Sequence, residues 1–209
     1  MTGERPGPGS PVATDVPVAD PAVTTAYAHL HVDSVRVLRA WDPPSEDQAR
    51  LRAAYLEHLA VHPDGVAKAG PPAHLTASCL VLDPAGDRVL LTLHKRAHAW
   101  FQFGGHLEPG DGSLWEAARR EAREESGIER LEPLPRPVQL DRHTLVGSFG
   151  HCREHLDVRY VAVAPVGASA RVSEESHDVR WWPVNALPGG TRAELAPLVS
   201  LARGALPGG

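Results

Sequence analysis

The stretch from Gly104 to Ile128, reading GGHLEPGDGSLWEAARREAREESGI, constrains this chain more than any other, because it is a loop feeding one helix crowded with acids. Ser113 followed three residues later by Glu116 forms a capping box, in which the hydroxyl accepts from the Glu116 N–H and the Glu116 carboxylate reaches back to the Ser113 N–H. The helix is therefore predicted to begin at Leu114. It should stop at Gly127, which adopts a left-handed cap without a Cβ clash. Glu121, Glu124 and Glu125 then stand three and four residues apart and converge on one face. Like charges at that spacing cost about a few tenths of a kcal/mol each in water, and more where a sheet strips their hydration. A hard divalent cation reverses the sign, since Mg²⁺ and Mn²⁺ prefer carboxylate and carbonyl oxygens. On the other side, Leu114, Ala118 and Ala122 let the helix lie close to a sheet and hold the carboxylates on a rigid element.

Arg120-Glu121-Ala122-Arg123-Glu124-Glu125-Ser126-Gly127-Ile128 resembles the second half of the Nudix box, G-x5-E-x7-R-E-U-x-E-E-x-G-U with U aliphatic, at every fixed position except that Ala122 is small for U. Counted from Gly105, the first half departs twice. Asp111 stands where Glu is usual, and Gly112 adds one residue, which the loop before the N-cap can absorb. From His74 to about Pro188 the layout follows that family. The Leu-Thr-Ala-Ser, Gly-Gly-His and His-Leu-Asp-Val-Arg segments are similar to those of uncharacterised actinobacterial Nudix hydrolases.

The resemblance implies an α/β fold, a Nudix-type α/β/α sandwich with a mixed β-sheet, and the metal-dependent hydrolysis of a phosphoanhydride. The substrate class it implies is a nucleoside diphosphate linked to another moiety: a nucleoside triphosphate, a nucleotide sugar or an ADP-ribose type compound. By the same resemblance, Glu121, Glu124 and Glu125 with the backbone carbonyl of Gly105 bind Mg²⁺ or Mn²⁺, and Arg120 orients a box carboxylate. Glu121, Glu124 and Arg120 are the catalytic candidates. The proton acceptor is one of the three glutamates or an acid outside the box; Glu174 and Glu175 sit where the family often carries one. Two alternatives stay open, an isopentenyl-diphosphate-isomerase-like enzyme and a Nudix module that binds a nucleotide without turning it over. The isomerase branch also has a Gly-His loop, but its catalytic cysteine is expected where this chain has Gly104.

Along the rest of the chain, 209 residues at 42% hydrophobic composition allow one ordinary domain with extensions. Residues 1–22, rich in Pro, Gly, Ala and Thr, read as a disordered tail. Residues 23–72 read as an N-terminal helical extension. Val32, Val35, Leu38 and Trp41 favour a short helix over Leu30–Trp41, Pro43-Pro44 end it, and a second helix runs from Ser45 to about His62. These helices offer a flap on the catalytic domain or a homodimer contact. The hydrolase domain is expected over 73–209. Its strands are predicted over His74–Asp83, Arg88–His94, Trp100–Phe103, Val138–Val146, His155–Ala164 and Val179–Trp182, with a closing helix over Thr191–Leu201 and a hairpin at Pro84–Asp87.

A formal charge of -5 leaves no basic footprint for long nucleic acid, so the expected partner is a small molecule recruited by one local site. No apolar run suits a membrane span or a signal sequence, and a cytoplasmic location is expected. Cys79 and Cys152 are the two cysteines, too few for a disulfide framework. Outside the box, the substrate-binding candidates are His94 and Arg96, whose cations could meet phosphates, with Phe103 for stacking on a base and His106 beside the glycine pair. His151 and His155 stand four apart with Glu154 and Asp157 close by, the spacing of a second metal site.

Overall fold

The computed structural model describes residues 19–145 and 150–206. Two helices come first, α1 (Pro21–Ala40) and α2 (Glu46–Val61), followed by β1 (Ala73–Leu82), β2 (Arg88–His94), β3 (Ala99–Phe101) and β4 (Phe103–His106). Helix α3 (Leu114–Ser126) precedes β5 (Gln139–Thr144), β6 (Glu154–Val163) and β7 (Ser176–Pro183), and α4 (Leu195–Gly204) closes the chain. All the strands join one mixed sheet running β3-β2-β1-β6-β5, with β4 also paired to β1 and β7 to β2. The pairing of β1 with β6 is parallel and unbroken from Ala73↔Glu154 to Leu82↔Val163. On its other edge β1 changes partner, from β4 over Thr76–Cys79 to β2 at Val81 and Leu82. That change opens the sheet beside the acidic helix.

Alternation along β1 and β6 divides the molecule. Leu75, Ala77, Leu156, Val158 and Tyr160 pack with Leu30, Leu38, Trp41, Tyr55 and Leu59 of the N-terminal helices and with Leu114, Ala117 and Ala118 of α3. Farther along the same face, Cys79, Val81 and Ala162 meet Ala122, Phe103 and Ile128. The opposite face changes character part-way. Leu80, Leu82 and Val161 are covered by Leu195, Leu198 and Val199 of α4, whereas Thr76, Ser78, His155 and Asp157 line a cleft.

The sandwich of helices about a mixed sheet is the one expected, with differences at the N-terminus. Helix α1 begins at Pro21, nine residues before the predicted start, because Asp20 caps it by accepting from Ala22 N and Pro21 supplies the fixed φ of a first helical residue. The tail expected over 1–22 thus overlaps this helix at its end, and residues 1–18 lie outside the described residues. The buried face of α1 is Leu30, Ser34 and Leu38, while Val32 is 66% exposed. Its apolar stripe is therefore set by Leu30 rather than Val32. Ser45, where the second helix was expected to start, is its N-cap and accepts from Gln48 N. The single strand expected over Trp100–Phe103 is two, because Phe101 pairs with β2 and Phe103 with β1. Val146 at the end of a predicted strand lies outside the described residues. No helix among them is long and apolar enough to cross a membrane.

Candidate active site

Helix α3 starts and stops where its sequence dictates. Ser113 Oγ accepts from Glu116 N at 3.1 Å, and Gly127 is left-handed at φ 70°. The capping box is displaced by one residue, since the Glu116 carboxylate accepts from Gly112 N at 2.8 Å rather than from Ser113. The extra glycine thus folds into the cap. A second acceptor comes from far away in sequence: Asp33 on α1 takes the Leu114 N–H at 2.9 Å. His29 Nε2 donates to the Asp111 carbonyl at 2.8 Å, and the Tyr27 hydroxyl reaches the Leu107 carbonyl at 3.4 Å. Three α1 side chains therefore hold the loop that delivers the acidic helix. Nothing in the loop's own sequence signals them.

The three glutamates of α3 are graded by burial. Glu125 is 6% exposed and its Oε2 accepts from Gly104 N at 2.9 Å. Glu121 has a side chain 15% exposed, and Glu124 one 62% exposed. Burial pushes the Glu121 carboxyl up to about 7 against the pull of Arg120, and pushes Glu125 up to about 8 against its hydrogen bond from Gly104. A Cβ on Gly105 would lie 2.6 Å from Glu121 Oε1, so any larger residue there would have to push this carboxylate aside. Oxygen donors on a hard, crowded, dehydrated face suit Mg²⁺ or Mn²⁺.

Arg120 ties the loop to the helix. Its Nε and Nη2 donate to the two Asp111 oxygens at 2.8 and 2.9 Å, Nη2 to the His106 carbonyl at 3.0 Å, and Nη1 to Glu121 Oε1 at 2.9 Å and Glu124 Oε2 at 3.3 Å. A bidentate guanidinium pair of this kind fixes orientation as well as charge. Asp111, standing where glutamate is usual, is the arginine's principal partner.

The site opens on a cleft with two adjoining lobes of ≈ 430 and ≈ 490 Å³, which share Lys68, Gly104, Gly105, His106, Glu125 and Glu175. The smaller lobe holds Arg120, Glu121 and Glu124. The larger brings together Lys95, Arg96, Arg192 and His94 with Phe101. Its floor is polar and internally satisfied, as Asp157 accepts from Thr76 Oγ1 at 3.1 Å, Ser78 Oγ at 2.7 Å and Arg159 Nε at 3.0 Å.

Of the residues singled out in the sequence, Gly105, Arg120, Glu121, Glu124 and Glu125 come together, and His94, Arg96, His106, Glu174 and Glu175 line the cleft. Phe103 does not, being fully buried among Cys79, Leu90 and Ala122. The chain changes partner strand at Gln102, so Phe101 is the aromatic that reaches the cleft, with Arg192 over its ring at 5.3 Å. The grouping of His151 and His155 expected as a second metal site does not form. His151 Nε2 donates to the Gly70 carbonyl, Glu154 pairs with Arg142, and Asp157 is engaged as described. His155 instead joins His74, His106 and Cys152. Lys68, His74, Cys152 and Arg192 were not singled out; the polar alternation His74, Thr76, Ser78 and His155, Asp157, Arg159 is the signal that could have found the histidines. The isomerase alternative loses its footing at Gly104, where a Cβ would lie 2.3 Å from Ser78 Cβ and 2.8 Å from the Ala77 carbonyl oxygen. No cysteine fits there without moving β1.

Residues 72–202 match the family described as NUDIX domain. No curated protein sequence gives a match. Among solved structures, a NUDIX-family hydrolase from Clostridium perfringens is 25% identical, over 64% of this chain and 98% of that one, with a TM-score of 0.47. A C. elegans Ap4A hydrolase is 21% identical over 61% and 93% at a TM-score of 0.50. The E. coli dihydroneopterin triphosphate pyrophosphohydrolase is 15% identical over 60% and 92% at 0.51. The latter two share the fold of the sheet and its flanking helices.

Proposed function

This chain belongs to the Nudix family of pyrophosphohydrolases, and from that premise we propose that it hydrolyses a phosphoanhydride in a nucleoside diphosphate linked to a further group. The observation that carries the reading is the pair of dehydrated carboxylates, Glu121 and Glu125, opening on the same cleft as Lys68, Lys95, Arg96 and Arg192. Anion-binding cations beside an acidic face suit a substrate whose phosphates must meet both. Glu121, Glu124 and Glu125 with the Gly105 carbonyl would hold Mg²⁺ or Mn²⁺, which when bound supplies neutralisation of phosphate charge and a more acidic water.

The chain's own residues supply the rest. Arg120 keeps Glu121 and Glu124 aimed, drawing its own orientation from Asp111. Lys95, Arg96 and Arg192 take the distal phosphate or its substituent, and Phe101 offers a face for a base or other planar group. Glu175 is the proton acceptor in this reading. It lines both lobes, whereas Glu174 lines one, and no cation pairs with its carboxylate among the described residues. The names of the two relatives, an Ap4A hydrolase and a dihydroneopterin triphosphate pyrophosphohydrolase, both describe polyphosphates attached to a planar heterocycle, which fits the aromatic end of this cleft.

The deciding experiment assays purified protein against nucleoside triphosphates, nucleotide sugars, ADP-ribose and dinucleoside polyphosphates with Mg²⁺ and Mn²⁺, alongside Glu124→Gln and Glu125→Gln. Turnover releasing a monophosphate, lost in both variants, is the expected result. Turnover unaffected by either substitution, or none with any compound, overturns the proposal.

A further inference from the structure

His74, His106, Cys152 and His155 take no part in the proposed hydrolysis, and their chemistry differs from that of the acidic helix. One ligand atom from each lies within 4.8 Å of all the others. His106 Nε2 stands 3.9 Å from Cys152 Sγ, and the His74, His106 and His155 rings pack with centroids 5.0, 5.1 and 5.4 Å apart. The fold makes this meeting unavoidable. His74 and His155 are partners in the parallel β1–β6 ladder, His106 lies opposite Thr76 at the end of β4, and Cys152 comes from the turn entering β6.

Two features indicate a ligand rather than ordinary packing. His74 is fully buried, yet its Nε2 has no hydrogen-bond partner among the described residues, and neither does the buried His155 Nε2. Unsatisfied buried nitrogens are rare, and two meeting in one cluster call for a common partner. Moreover, His74 Nδ1 donates to the Pro71 carbonyl at 2.9 Å, which fixes the tautomer and turns the Nε2 lone pair inward. A carbonyl holding the far nitrogen is how metal-ligating imidazoles are oriented.

We propose that His74, His106, His155 and Cys152 bind one zinc-class ion, distinct from the magnesium-class site on α3. Thiolate and imidazole donors select Zn²⁺, as the oxygen donors of α3 select Mg²⁺ or Mn²⁺. Bond lengths of about 2.0–2.1 Å to nitrogen and about 2.3 Å to sulfur set tetrahedral edges near 3.3–3.6 Å, so the four donors close by about 1 Å on binding. Four protein ligands leave no open position for water. The ion is therefore structural: it clamps the ends of β1, β4 and β6, next to the glycine pair that meets Glu121 and Glu125, and forms one wall of the larger lobe.

The test measures metal in the full chain after dialysis against excess Mg²⁺. About one zinc per chain is expected, kept by Glu124→Gln and lost by His155→Gln and Cys152→Ser. This contrast separates the site from the hydrolytic one, so failure of either proposal leaves the other standing. Cobalt substitution should add a thiolate charge-transfer band that Cys152→Ser abolishes. Should the variants misfold, alkylation of Cys152 in the unaltered chain, first stripped of metal with a chelator, still decides, since added Zn²⁺ must slow it at least tenfold. Substoichiometric zinc in the parent protein, equal zinc in the variants, or alkylation indifferent to Zn²⁺ overturns the inference.

Discussion

Glu125 is a carboxylate that the folded chain would rather keep protonated, and the same is true of Glu121 to a lesser degree. Both carry folded-state values above the ordinary one near 4.5, at about 7 and about 8, so the native state holds protons that the unfolded chain releases over that window. The stability these two groups contribute is therefore full below about pH 4.5 and is lost as pH rises through 7 and 8, whereas buried His58, His106 and His155, held down to about 3–4, act in the opposite sense below about 6.5. Thermal melts without metal should show Tm falling from pH 7.5 to pH 8.5, above the range in which the buried histidines titrate, and the Tm gain on adding Mg²⁺ should grow over the same interval. A pH-independent gain would mean the ion binds elsewhere. Glu125→Gln keeps an acceptor for the Gly104 N–H while removing the buried charge. It should raise the metal-free Tm at pH 8 by about 2–4 °C, what about 1 kcal/mol does in a domain of this size, and lower turnover about a hundredfold or more. Activity with Tm unmoved would show that the carboxylate is hydrated after all.

Helix α3 is placed by its neighbours as much as by its own caps. Asp33→Ala removes the acceptor of the Leu114 N–H and should cost about 1 kcal/mol, read as a lower Tm. Because α1 also holds the Asp111 and Leu107 carbonyls, the same variant should weaken Mg²⁺ binding measurably in calorimetry. The strand facing the helix is equally exacting. Gly105→Ala sets a Cβ against Glu121 Oε1, so the expected outcome is a folded protein with Mg²⁺ affinity reduced tenfold or more. Ala122 makes the reverse case, since a small residue here lets α3 lie against Phe103 and Cys79. Ala122→Leu should overpack that contact by about 1–3 kcal/mol, visible as a loss of Tm.

On the scale of the molecule, the N-terminal helices are not an appendage. Leu30, Leu38, Trp41, Tyr55 and Leu59 share one core with Leu75, Leu107, Leu114 and Tyr160, and Trp41 Nε1 and Tyr55 Oη donate to the Pro137 and Asp141 carbonyls at 2.7 Å. A chain cut to residues 72–202, the span matched by the family, would expose that core. It should be insoluble or lack a cooperative melt, where the full chain unfolds in one transition. A soluble, active fragment would show that the helices serve another purpose.

The acidic helix was readable residue by residue, from the Ser113 cap to the Gly127 stop, because caps and i, i+4 spacing are local and depend on the backbone of one turn. The strands were readable for the same reason. What tertiary structure alone decided was everything that depends on register between distant segments. It put Asp33 and His29 against the loop, buried Phe103 while exposing Phe101 to the cleft, and set His74 beside His155 across a parallel ladder joining segments about eighty residues apart. Local free energy selects the helix and the strand. Which side chains meet across them is fixed only when the sheet closes, since a one-residue slip would turn every side chain to the other face.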